Sequence, residues 1–171
     1  MTFKILKYMK KALTLSSFFL VIFLVSCGTT ETKTITSANV EMIEEYAMEG
    51  SNTLTGVWEV DLAGINIDNV ESAKVTSIKM EMIEPEKSDI LAEIVMQLAA
   101  SGTDMQRVAV LNPVPENSAS VDLSIAKEQE NLVDILKQKE VTFVADINLK
   151  EDPQGTVAIK TSIQFELEVK Q

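Results

Sequence analysis

Thr156-Val157-Ala158-Ile159-Lys160-Thr161-Ser162-Ile163-Gln164-Phe165-Glu166-Leu167-Glu168-Val169-Lys170 places apolar or β-branched residues at every odd position from Val157 to Val169. Lys160, Ser162, Gln164, Glu166, Glu168 and Lys170 fall at even ones. Side chains of a strand alternate between its faces, so this period of two predicts a long strand with one wet and one buried face. Upstream, Val141, Phe143, Ala145, Ile147 and Leu149 alternate in the same way, and residues 151–155 (Glu-Asp-Pro-Gln-Gly) supply turn chemistry between the two runs. That combination predicts a hairpin.

Working backward, strands are expected at residues 56–62 around Trp58, at 73–83 with Ile78, Met80 and Met82 in alternation, at 105–111, and at 119–126. Residues 89–100 fit both a helical stripe and an alternating run; strands on either side favour a strand here. Asn112-Pro113-Val114-Pro115 cannot continue a central strand and reads as a loop. Leu132, Val133, Ile135 and Leu136 have helical spacing, predicting one short helix within 128–138. About seven strands with one or two short helices give an all-β fold class, an antiparallel β-sandwich, and the missing βαβ rhythm disfavours a parallel nucleotide-binding sheet.

Ahead of this body, residues 28–38 are rich in Thr and Ser and read as a flexible tether. Residues 39–50 offer Asn39 as an N-cap, early acids and Gly50 as a stop, which fits a short helix with Val40, Ile43 and Ala47 on one side. The sequence therefore divides into a leader at 1–26, a linking region at 27–52 and a sandwich domain at 53–171.

Composition removes much chemistry. The 171 residues include no His and one Cys, with 15 Lys+Arg against 26 Asp+Glu for a net charge of −11. Without His the usual proton shuttle and commonest metal ligand are gone, and a solitary Cys excludes an internal disulfide and Cys-based zinc sites. No Gly-x-Ser-x-Gly elbow and no Gly-rich phosphate loop occurs. Glu166 and Glu168 sit two apart on a wet face with nothing nearby in sequence to raise either pKa, which makes a carboxylate hydrolase the least favoured reading.

The leader has Lys4, Lys7, Lys10 and Lys11, then an apolar run peaking at 18–25, then Ser26-Cys27-Gly28. This is the layout of a secretory signal, and its clean apolar core is too short to span a bilayer. Leu24-Val25-Ser26-Cys27 resembles the lipobox of bacterial lipoproteins. The resemblance implies cleavage before Cys27 and lipidation of Cys27 by diacylglycerol and palmitate-type chains. It further implies residence at the outer membrane, since Gly28 is not Asp, with periplasmic or cell-surface exposure left open. Two or three acyl chains give stable anchoring where one is marginal. Cleavage removes four lysines and no acid, leaving 11 basic against 26 acidic residues, −15. With Arg107 the only Arg, nucleic acid is excluded as a partner.

The pattern of residues 78–82, 89–91, 108–110 and 131–136 resembles small immunoglobulin-like β-sandwich lipoproteins of unassigned function. Together with the lipobox, this implies a lipid-anchored, non-enzymatic envelope lipoprotein. It would display a binding module to an envelope protein, with the membrane as partner through its anchor. Gly56-Val57-Trp58 is similar to the Gly-x-Trp opening of lipocalin-like barrels, which implies an alternative: a closed barrel carrying an apolar ligand. The other reading of Trp58 is as a core residue.

Asp61, Asn66, Asp68, Asn69 and Glu71 are oxygen donors in one short stretch, but their spacing matches no EF-hand loop and a polar turn is expected. Met42, Met48, Met80, Met82, Met96 and Met105 are expected to fill core gaps rather than line a binding surface. No catalytic, cofactor or metal residues are assigned; Cys27 is the one site residue.

Overall fold

The computed structural model describes residues 29–171, so the leader and Cys27 lie outside the described residues. In chain order the elements are β1 Thr30–Thr36, β2 Val40–Glu44, β3 Gly50–Glu59, β4 Val70–Met82, β5 Leu91–Ala99, β6 Gln106–Leu111, β7 Ser120–Asp122, β8 Ser124–Ile125, a one-turn α1 Val133–Leu136, β9 Glu140–Leu149 and β10 Val157–Lys170. Short 3-10 turns occupy Ile67–Asn69 and Pro85–Ile90.

Two antiparallel sheets result. In the first, β10 lies between β4 and the edge formed by β1 and β2, with β7 beyond β4; the second runs β3-β9-β5-β6-β8. The expected all-β antiparallel sandwich is present. Most of its connections cross between the sheets, with β5 and β6 a hairpin inside the second, and the order is β2-β10-β4-β7 over β3-β9-β5-β6. That is the double Greek key of a jelly roll rather than the immunoglobulin-like order expected from the resemblance.

The alternation of β10 is realised in full. Val157, Ile159, Ile163, Phe165, Leu167 and Val169 are all buried, and the even positions after Ala158 face outward or lie half-buried. Inward residues of β9, namely Val141, Phe143, Ala145, Ile147 and Leu149, face them from the other sheet. Trp58 of β3 stacks on Phe165 across the interior, with centroids 5.5 Å apart and planes at 13°, and leans on Phe143 at 6.2 Å and 52°. Such pairs add to the large area each ring buries. The interior is therefore filled by side chains between two open sheets, which overturns the closed lipocalin-like barrel.

Three expectations change. The hairpin of β9 and β10 does not form: β9 pairs with β3 and β5, while β10 pairs with β2 and β4. Residues 150–156 cross between the sheets instead. Over the described residues 29–50, where a tether and a short helix are expected, the chain forms β1 and β2, so the sandwich begins at β1 rather than at residue 53. Val40 and Met42 point inward while Glu41 and Ile43 point outward, a period of two that the helical reading missed. A five-residue segment gains little as an isolated helix, whereas β10 offers it a ladder of hydrogen bonds. Finally, the segment 119–126 is not one strand: β7 and β8 belong to different sheets, and Leu123 is buried between them.

Within residues 89–100 the expected strand forms as β5, Leu91–Ala99, with Asp89 and Ile90 in the preceding 3-10 turn. Its register shifts between Leu91 and Glu93, so the inward set is Leu91, Ile94, Met96 and Leu98. That bulge breaks the alternation: Leu91 is inward where an unbroken strand would have put Ala92. β4 carries a comparable shift opposite Gln164 and Phe165.

One inward position of β10 is polar. Thr161 is fully buried between Val40 and Met80, and its Oγ1 has no hydrogen-bond partner. An unpartnered buried hydroxyl costs about 1–3 kcal/mol. Thr161→Val, which keeps the shape, is therefore expected to raise the urea midpoint of unfolding by about 1 kcal/mol equivalent. An unchanged or lower midpoint would contradict this.

Candidate interaction surfaces

The jelly-roll order gathers four loops at one end: residues 45–49, 83–90, 112–119 and 150–156. They carry Glu45, Glu49, Glu84, Glu86, Asp89, Glu116, Glu151 and Asp152 against Lys87 and Lys150. Both lysines are turned to internal use. Lys87 Nζ donates to Glu84 Oε1 (2.9 Å) and to the carbonyl of Thr156, joining the second loop to the fourth. Lys150 Nζ donates to the carbonyl of Asp89 (3.0 Å), and Ser88 Oγ, buried, accepts from Ser118 N–H at 3.2 Å. Glu49 N–H donates to Asp152 Oδ1 at 2.7 Å, tying the first loop to the fourth. The loop end is a cross-braced cap whose free charges are acidic. An open groove of about 420 Å³ runs between Glu84, Glu86, Ile90, Glu151 and Pro153.

Exposed apolar side chains concentrate on and beside this cap. Tyr46 is 83% and Met48 67% exposed, and Ile43 (49%) and Ile83 flank Ala158 on the outer side of the first sheet. Tyr46 is held by its N–H donating to Glu44 Oε1 (3.1 Å), and Asn52 clamps Met48 by accepting from its N–H (3.0 Å) and donating to its carbonyl (2.7 Å). Trp58, Phe143 and Phe165 are all interior. Tyr46 is thus the one aromatic on the surface among the described residues.

The opposite end is built from residues 60–69, 100–105 and 126–139. An open groove of about 860 Å³ there is lined by Ala99, Ser101, Lys137, Lys139, Glu140 and Thr142. Asn131 and Gln129 pin the long 126–139 connection to β4: Asn131 Oδ1 accepts from Ala73 N–H (3.0 Å), and Gln129 Oε1 accepts from Val75 N–H (2.9 Å).

The donor-rich stretch 61–71 is a set of polar turns. Asp61 accepts from Ala63 N–H at 2.8 Å, Asn66 caps the 3-10 turn by accepting from Asp68 N–H at 3.1 Å, and Glu71 pairs with Lys170 at 2.8 Å. Among the described residues no group of three acids is placed to hold a metal ion. Met42, Met80, Met82 and Met96 are core residues as expected, whereas Met48 and Met105 are exposed. Glu166 and Glu168 lie on the wet face of β10. Glu166 meets Lys74 at 2.8 Å, and that hydrogen bond, then its charge, holds the Lys74 ammonium above the usual lysine range. Glu168 accepts from Ser72 Oγ at 2.9 Å. The two carboxylates are thus engaged in cross-strand pairing with β4. Sequence reasoning singled out neither Tyr46 nor the four-loop cap, because the loops that form it are far apart in the chain.

No family model matches the sequence, and no curated protein matches it. Among solved structures the chain is similar to the 60-mer BFDV capsid protein (13% identity, 85% of this chain and 96% of that one, TM-score 0.42). It is also similar to the xylan-binding module CBM15 (14% identity, 84% and 100%, TM-score 0.39). A third likeness is to a chain of the infectious bursal disease virus Gt strain (13% identity, TM-score 0.43), where 82% of this chain spans 33% of that one. Each likeness lies below the level at which a ligand or an assembly carries over from one protein to another.

Proposed function

We propose that the chain is a non-enzymatic lipoprotein of the bacterial envelope, anchored at the outer membrane by acylated Cys27, whose sandwich is a protein-binding module. The anchoring half rests on Leu24-Val25-Ser26-Cys27 and the single Cys of the sequence. One observation carries the binding half: Tyr46 and Met48 stand exposed on a braced loop beside Ile43, while the other described aromatics are interior. Exposed apolar side chains gathered in one place mark interaction sites. Away from that patch the outer sheet faces are mostly polar and charged, as where Thr53 and Gln97 of the second sheet donate to the two oxygens of Asp146 at 2.6 Å each. Without exposed rings those faces are poor platforms for stacking a sugar.

Growth with labelled palmitate is expected to mark the wild-type protein and to leave Cys27→Ala unmarked and released from the membrane fraction. Labelling that survives Cys27→Ala, or a mature terminus starting elsewhere, overturns the anchoring half. In the same cells a photo-crosslinking residue at position 46 is expected to give a discrete adduct, and one at position 51, on the outer face of β3, none; equal yields overturn the binding half.

A further inference from the structure

Resting on the lipid-anchored reading, we propose that the end of the sandwich formed by residues 60–69, 100–105 and 126–139 is its membrane-facing surface, seated against lipid head groups. The braced acidic cap then points away from the bilayer.

Covalent reach and strand direction carry this. The compact unit begins at Glu31. Four peptide steps lead from Cys27 to Glu31, so the chain between them spans at most about 14 Å. β1 runs antiparallel along β10, because Ser37 N–H, just after β1, donates to the Ile163 carbonyl (2.9 Å) while at the other end Gln171 N–H donates to the Thr29 carbonyl (3.1 Å). The start of β1 therefore lies toward the C-terminal end of β10. That end is fixed in turn by Val169 pairing with Val70, the first residue of β4. The turn 60–69 enters β4 there, 100–105 joins β5 to β6 at the same end, and 126–139 leads into Glu140, which pairs with Glu59. Fourteen residues of β10 extend about 46 Å, so an attachment of 14 Å at one end leaves the far loops out of reach of the bilayer while the body stands upright.

Charge distinguishes the two ends. The proposed membrane end carries Lys127, Lys137 and Lys139 against six acids, whereas the opposite cap has eight acids and only the two engaged lysines. The exposed Tyr46 and Met48 are then held outward, where a protein partner can meet them.

Cys27 is the sole native thiol, and its thioether to diacylglycerol blocks it, so a single introduced Cys is the only labelling site in the full lipidated protein. Ser101→Cys, Gln154→Cys, Ser77→Cys and Thr55→Cys place a fluorophore at the proposed membrane end, the cap and the two outer sheet faces. After reconstitution into vesicles containing a nitroxide-headgroup phosphatidylcholine, the label at 101 is expected to lose most of its emission. The labels at 154, 77 and 55 are expected to keep theirs. Quenching at 77 or 55 comparable to that at 101 would show a body lying on a sheet, and strongest quenching at 154 an inverted seat; each overturns the proposal. Failure of the protein to float with vesicles would instead strike the anchoring reading, so the two failures are distinguishable.

Discussion

Gly56→Ala is expected to lower the unfolding free energy by about 3 kcal/mol, read as a fall in the urea midpoint with an unchanged slope. A β-carbon at Gly56 would lie 2.5 Å from Val40 Cγ1, 2.7 Å from the carbonyl oxygen of Glu41 and 2.8 Å from Met42 Cγ. Two of these are side-chain atoms that can yield. The carbonyl belongs to β2, whose backbone is fixed by its ladder to β10. The glycine is required where β3 of one sheet passes under β2 of the other, so any side chain pries the sheets apart at this edge. Gly64 provides the contrast: its φ is +82° but nothing lies within 4 Å of the added carbon. Gly64→Ala should cost only the left-handed strain of about 1 kcal/mol. If the two variants lose equal stability, close approach at Gly56 is not what the structure depends on.

The second large effect is expected at Phe165. Phe165→Ala should cost about 4 kcal/mol, the loss of a buried ring plus the cavity left behind. It removes the partner on which Trp58 stacks across the two sheets, and both residues sit among the most buried in the protein. Trp58 is the single tryptophan, so its emission reports directly on this place. In the variant the emission should shift to the red, and the thermal transition should fall with it. Tyr46→Ser removes as large a ring from the surface and should change stability by less than about 0.5 kcal/mol. An equal loss for both substitutions would mean that the core is not organised around the Trp58–Phe165 stack.

The residues Gly56 and Trp58 show how sequence and structure divide the work. Their pairing in Gly-Val-Trp was visible as a motif, and the core role of Trp58 followed from its size. The reason for Gly56 was not visible, because the atoms it makes room for lie in a segment that read as a helix. Tyr46 and the cap around it were illegible for the same cause: loops separated by tens of residues meet only once the sheets are stacked.

The sequence by itself determined that the body is built of strands, and which side chains of its last two strands line the interior. A period of two is a local property, carried by every residue of β9 and β10 without reference to any neighbour. Which strands pair, and in which sheet, was decided only by the tertiary structure. β9 and β10 would bury the same apolar faces as a hairpin or as members of opposed sheets, and the alternation is identical in both. The choice falls to hydrogen-bond partners far away in the chain, β2 and β4 for one strand and β3 and β5 for the other, and to the volume of the rings that must close the space between them.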